Sequence, residues 1–226
     1  MVAQLVTDQA RRLVRERCPQ ALAVLLTGST AAGTATATSD LDLLVLVGDN
    51  EVTRRETIRF EGRLAELFIH TRAGARSVFA ADKARRTATM QHMYVSGVVL
   101  HGNADAELVL AERDLREGPP PCPPEVVETM RYGLTDVLDD LQDTTDPVER
   151  AIVAAAVLHD AADLLFDHHH AWRGGGKWLA RRLRAADPKL ADALLRGYQA
   201  GDPAPAAHRI LDLVGGPLRE GYQRVW

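Results

Sequence analysis

Cysteine is nearly absent. The two present in 226 residues, Cys18 and Cys122, form no disulfide framework and no metal-ligand spacing, so structural thiols are expected at both. Charge of one sign is also lacking. A formal net charge of −4 gives no global attraction to nucleic acid or to an anionic membrane, which disfavours a polymer substrate and leaves nucleic acid out of the expected partners. Aromatic residues are sparse at 5%, and the basic stretch Lys177, Arg181, Arg182, Arg184 has no interleaved aromatics beyond Trp178, so a solvated face is expected there rather than an RNA platform. No segment reaches the roughly eighteen apolar residues that span a bilayer. Met1-Val2-Ala3-Gln4 lacks an apolar signal core, so no membrane association and a cytoplasmic location are expected. No Gly-Lys-Ser or Gly-Lys-Thr follows any candidate phosphate loop, which excludes a P-loop.

What is present is concentrated near the start. Leu25-Leu26-Thr27-Gly28-Ser29-Thr30 reads as a strand ending in a Gly-Ser turn, and Asp40-Leu41-Asp42 follows inside an apolar stretch. Side chains alternate along a strand, so Asp40 and Asp42 point one way while Leu41, Leu43, Val45 and Val47 point the other. Two carboxylates on one face of a buried strand repel, and burying even one unpaired costs several kcal/mol unless a cation or proton neutralises it. Arg63-Leu64-Ala65-Glu66-Leu67-Phe68-Ile69-His70 is a further strand candidate that brings a third carboxylate, Glu66; the nearby Glu61 belongs to a more polar stretch and is expected to be solvated. Oxygen-rich sets of this kind suit magnesium, which is commonly held by one or two carboxylates together with substrate phosphates. Gly28 permits close backbone approach, and the amides and hydroxyl after it can hold a triphosphate.

Gly28, Ser29, Asp40, Asp42 and Glu66 together resemble the signature of the nucleotidyltransferase superfamily typified by DNA polymerase β: a Gly-Ser turn, a short spacer, an Asp-x-Asp strand and a later acidic strand. The spacer from Ala31 to Ser39 is built mostly of small residues, as a turn near phosphates allows. The resemblance covers about the first hundred residues. It implies an α/β fold with two magnesium ions, Asp40 and Asp42 holding both, Glu66 the catalytic one, and Gly28, Ser29 and Thr30 binding the nucleotide. A pair of ions about 3.5–4 Å apart can activate an attacking oxygen and stabilise the leaving pyrophosphate.

Hydrophobic patterning divides the chain. Residues 4 to 17 carry Leu5, Val6, Ala10, Leu13 and Val14 between charges and predict an amphipathic helix. Residues 53 to 59 and 80 to 94 predict further helices, residues 97 to 102 a closing strand, and residues 104 to 116 another helix. The run Gly118-Pro119-Pro120-Pro121-Cys122-Pro123-Pro124 cannot continue a helix and marks a boundary. Helices are then expected at 125–141, 147–166, 177–186, 188–197 and 206–214, with 147–166 central. The expected organisation is an α/β catalytic domain with a small mixed sheet over residues 1–117, followed by an all-α bundle over 118–226. No internal repeat is found, nor low complexity beyond the proline run and Gly174-Gly175-Gly176.

This arrangement resembles the aminoglycoside-modifying nucleotidyltransferases, which implies antibiotic resistance as a role, acceptor binding by the helical part and, as in relatives that build the acceptor site across two subunits, a homodimer. Glu128, Asp136, Asp139 and Asp140 are acids the first bundle helix could offer. Glu128 lies about one turn before Arg131, so the acid can take the acceptor proton while Arg131 touches phosphate; Asp139 and Asp140 read rather as a solvated face. His159-Asp160 lacks the further ligands of a phosphohydrolase centre and reads as a packed histidine. His168-His169-His170 reads as a helix end, because consecutive helical residues cannot face one ion. Trp172 and Trp178 read as anchors of the bundle. The expected activity is magnesium-dependent transfer of a nucleoside monophosphate, AMP from ATP, to a small-molecule hydroxyl with release of pyrophosphate. Two other classes stay open: an antitoxin that adenylylates a protein partner, and a nucleotide-binding regulator without turnover.

Overall fold

The segment Ala23-Val24-Leu25-Leu26-Thr27 offers no polar alternation, and it forms a strand buried along its whole length, β1 (Ala23–Thr27). A strand without a wet face must be covered on both sides, and that requirement organises the first part of the chain. The computed structural model describes residues 2–36 and 38–224, with side chains from residue 6 onward. The side chain of Leu5 on the expected first helical face, and Ala37 of the spacer, lie outside the described residues. Among the described residues no helix is long and apolar enough to cross a membrane.

The chain divides into two compact units, Met1–Glu117 and Gly118–Trp226. In the first, α1 (Val2–Arg17), β1, the single turn α2 (Gly28–Ala31), β2 (Leu41–Leu46), β3 (Arg54–Phe60), β4 (Arg63–His70), α3 (Arg72–Ala84), α4 (Thr89–Val95), β5 (Val98–Gly102) and α5 (Asp105–Glu117) follow one another. The sheet has the order β3-β4-β2-β1-β5. It is mixed: β2 and β4 are parallel, and the other neighbours antiparallel. On one face Val6, Ala10, Leu13 and Val14 of α1 pack on Val24, Leu26, Leu41, Leu43, Val45, Ala65, Leu67 and Ile69. On the other, Ala23, Leu25, Leu44 and Leu46 meet Ala75 and Phe79 of α3, Tyr94 of α4 and Ala111 of α5.

Residues 53 to 59, expected as a helix, are strand β3. Ile58 and Phe60 sit two apart against the α1-side core, a strand period and not a helical one. Glu61 and Gly62, both at positive φ (47° and 81°), make the two-residue turn that folds β3 onto β4. Glu61 is exposed as expected, and its carboxylate accepts from Arg12 Nε (2.8 Å) and Nη2 (2.7 Å). Nor is there one helix over 80–94. The chain breaks at Arg86 (φ 59°), and the Asp82 carboxylate accepts from Met90 N at 2.8 Å to start α4.

The second unit contains α6 (Pro124–Asp143), α7 (Pro147–His168), α8 (Lys177–Ala186), α9 (Pro188–Gln199) and α10 (Ala204–Leu213). The central helix is α7, with Ala154, Val157, Leu158, Ala161, Ala162, Leu164, Leu165 and Phe166 buried. Its start is fixed by the Asp146 carboxylate, which accepts from Val148 N and Glu149 N (2.9 Å each), and Asp187 caps α9 likewise. His159, expected to be packed, is exposed, because it falls opposite the buried stripe of α7. Trp172 is buried as expected, whereas Trp178 is half exposed and carries the guanidinium of Arg181 over its ring at 4.9 Å. The histidine run falls at the end of α7, with Lys177, Arg181 and Arg184 exposed beyond it.

Candidate active site

β1 runs to Thr27, whose hydroxyl donates to the Met93 carbonyl of α4 at 3.0 Å, and the chain then turns into Gly28 at φ 67°. A Cβ added at Gly28 would lie 1.9 Å from Asp42 Oδ2. Glycine is therefore required twice at this position, by its backbone conformation and by a carboxylate that occupies the volume a side chain would need. β1 and β2 are in register with Thr27 opposite Asp42, and β2 and β4 with Asp42 opposite Glu66. Thr27, Asp42 and Glu66 thus form a row across three strands, on the face covered further along by α3, α4 and α5. Asp42 and Glu66 are half-buried there, whereas Thr27 is fully buried.

Asp40 lies one residue before β2, not within it. Its peptide is held on both sides. The Arg63 guanidinium donates through Nη1 to the Ser39 carbonyl at 2.5 Å, and the Thr30 hydroxyl donates to the Asp40 carbonyl at 3.5 Å. Ser39 Oγ also accepts from Thr36 N at 2.8 Å, which ties the end of the spacer to itself. Ser29 is half-buried, and its carbonyl accepts from Thr34 N at 2.9 Å to close the turn.

The family model of the nucleotidyltransferase domain matches residues 8–73, a span that holds Gly28, Ser29, Asp40, Asp42 and Glu66. Over residues 8–73 the chain is thus similar to a nucleotidyltransferase domain, which supports a transferase. A nucleotidyltransferase-like protein from Exiguobacterium sibiricum is 16% identical to this chain, with a TM-score of 0.43 and coverage of 92% of this chain and 74% of that one. No curated protein matches.

Within the nucleotidyltransferase domain the third carboxylate is engaged. Arg55 of β3 donates through Nη2 to Glu66 Oε1 at 2.7 Å and Oε2 at 2.6 Å, and its guanidinium lies 4.9 Å from the centre of the Phe68 ring. Among the described residues no group of three or more His, Cys, Asp or Glu side chains is disposed to hold a metal ion by itself. Asp40 and Asp42 still supply the hard oxygen donors that suit magnesium completed by substrate phosphates.

The residues expected from the helical part lie on α6 in the second unit. Glu128 is exposed. Arg131 donates through Nε to the Gly216 carbonyl at 3.0 Å and through Nη2 to that of Gly215 at 2.6 Å, so it carries the segment after α10. The same segment brings Arg219 onto Asp136 and Asp139 and stacks Tyr222 on Tyr132, with ring centres 4.3 Å apart. Asp140 is exposed.

Arg55, Arg63 and Thr27 were not singled out in the sequence. The signal for Arg55 was the two-residue Glu61-Gly62 turn, which makes the segment before it a strand and sets Arg55 beside β4. Arg63 and Thr27 act through backbone carbonyls, and no residue pattern announces such contacts.

Proposed function

We propose that the protein transfers a nucleoside monophosphate, AMP from ATP, to a hydroxyl of a small aminoglycoside-like acceptor and releases pyrophosphate in a magnesium-dependent reaction. The single observation that carries this is the packing of the Asp42 carboxylate against Gly28. It sets a hard oxygen ligand directly beside the turn whose backbone and Ser29 hydroxyl would take the triphosphate. Asp40 and Asp42 would hold the metal, with Glu66 the candidate third ligand. Magnesium bound there would offset phosphate charge and lower the pKa of the acceptor hydroxyl. Gly28, Ser29 and Thr30 would take the triphosphate, and Arg63 and Thr30 keep the Asp40 peptide in place; Glu128 is proposed, as a role and not as a placement, to take the hydroxyl proton. The acceptor oxygen then bonds to the α-phosphorus as the bond to the bridging oxygen breaks, and pyrophosphate leaves.

Incubation with magnesium and ATP against a panel of aminoglycosides and other polyols, read by mass spectrometry, tests this. A nucleotidylated product from one acceptor class is expected. Turnover of ATP onto a co-purifying protein alone would replace the small acceptor by a protein one.

A further inference from the structure

Asp42 and Glu66 stand opposite each other on parallel neighbouring strands, an arrangement in which like charges destabilise the sheet. Arg55 answers the charge on one of them. It sits opposite Phe68 in the β3–β4 register, one pleat along from Glu66, so its side chain reaches the carboxylate diagonally. The guanidinium is placed on two sides, by the Phe68 ring and by both Glu66 oxygens. Glu66 is the more enclosed partner, with 20% of its side chain exposed against 58% for Arg55.

We propose that Arg55 is a positioning residue that holds the third carboxylate in place of a divalent cation, so that metal engages Glu66 only by displacing the guanidinium. This rests on Asp40, Asp42 and Glu66 being metal ligands, as set out under the proposed function. A direct cation contact and an Arg55 contact compete for the same two oxygens. The ion pair therefore weakens metal binding to the nucleotide-free protein. Arg55 is largely exposed, so the competing contact is modest and reversible. Removing it exposes both oxygens of Glu66 without altering the ligand itself.

The test is Mn2+ binding, followed by electron paramagnetic resonance, to the full chain with and without a non-hydrolysable α,β-methylene ATP analogue. Arg55→Met should bind Mn2+ about two- to fivefold more tightly than wild type without nucleotide, the range that a partly exposed ion pair supports. The gain should vanish in Arg55→Met/Glu66→Gln. Arg55→Lys, which keeps the charge but not the two-oxygen contact, should fall between wild type and Arg55→Met, and it guards against a folding defect in the first variant. Equal Mn2+ affinity in wild type, Arg55→Met and Arg55→Lys, with the analogue still recruiting Mn2+ to all three, overturns the role of Arg55 and leaves the metal-dependent transferase standing. No Mn2+ recruited by the analogue to any of them overturns both.

Discussion

Asp42 and Gly28 share one space: the carboxylate of the β2 residue rests where a side chain at the end of β1 would be, 1.9 Å from the position of a Cβ there. The Gly-Ser turn and the Asp-x-Asp strand of the sequence are thus a single interlocked unit, and neither can change without moving the other.

Gly28→Ala should lose at least about a hundredfold in pyrophosphate release while the protein stays folded. The methyl group must displace Asp42 and the backbone must leave φ 67°, a local strain of about 1–3 kcal/mol set against a core that does not include residue 28. Steady-state kinetics together with thermal unfolding separates the two effects.

Arg63→Met should lower kcat about tenfold or more, beyond what a fall in Tm of a few degrees explains. A charged donor to a carbonyl contributes about 1.5–3 kcal/mol, and here it fixes the Ser39 carbonyl next to Asp40. A fall in Tm that accounts for the whole loss of activity would assign Arg63 to the fold alone.

Arg72→Ala should destabilise the domain by about 3–5 kcal/mol, because it leaves Glu107, fully buried on α5, without the guanidinium that donates to both its oxygens at 2.8 and 2.9 Å. Arg72→Met/Glu107→Gln should recover most of that loss. Urea unfolding of the single and double variants reads the difference.

His70, at the end of β4, is buried and shares a hydrogen bond of 3.1 Å with the Tyr94 hydroxyl, and burial lowers its pKa below the ordinary 6.5. Between that lowered value and 6.5 the unfolded chain binds more protons than the folded one. Stability contributed by neutral His70 is therefore complete above about pH 6.5 and declines as pH falls toward the folded pKa. The same burial pushes the Tyr94 phenol up, so Tyr94 stays protonated throughout this window. Tm measured from pH 8 to 5 should fall less steeply in His70→Gln than in wild type.

The strand positions of Asp42 and Glu66 and the turn at Gly28 were legible because strand alternation and glycine chemistry act locally, whereas Asp40, read as part of the strand, lies one residue before it. The same logic failed at β3, where Arg54, Arg55, Glu56 and Arg59 mask the strand period of Ile58 and Phe60 with charge that the exposed edge of the sheet tolerates. What Arg55 and Arg63 hold is decided by neighbours brought close by sheet register, Glu66 on β4 and Ser39 before β2, and register does not exist until the sheet forms. On α6, the helical stripe was visible, but the return of residues 215–222 onto Arg131, Asp136 and Tyr132 was not, since it depends on contacts more than eighty residues apart along the chain.

The most direct measurement is magnesium-dependent pyrophosphate release with each nucleoside triphosphate and an acceptor panel, for wild type beside Asp42→Asn, a change that keeps the size of the side chain against Gly28 and removes its charge. Release by wild type that disappears in a folded Asp42→Asn protein is the predicted result. Equal release by both would contradict the assignment of the chemistry to this carboxylate.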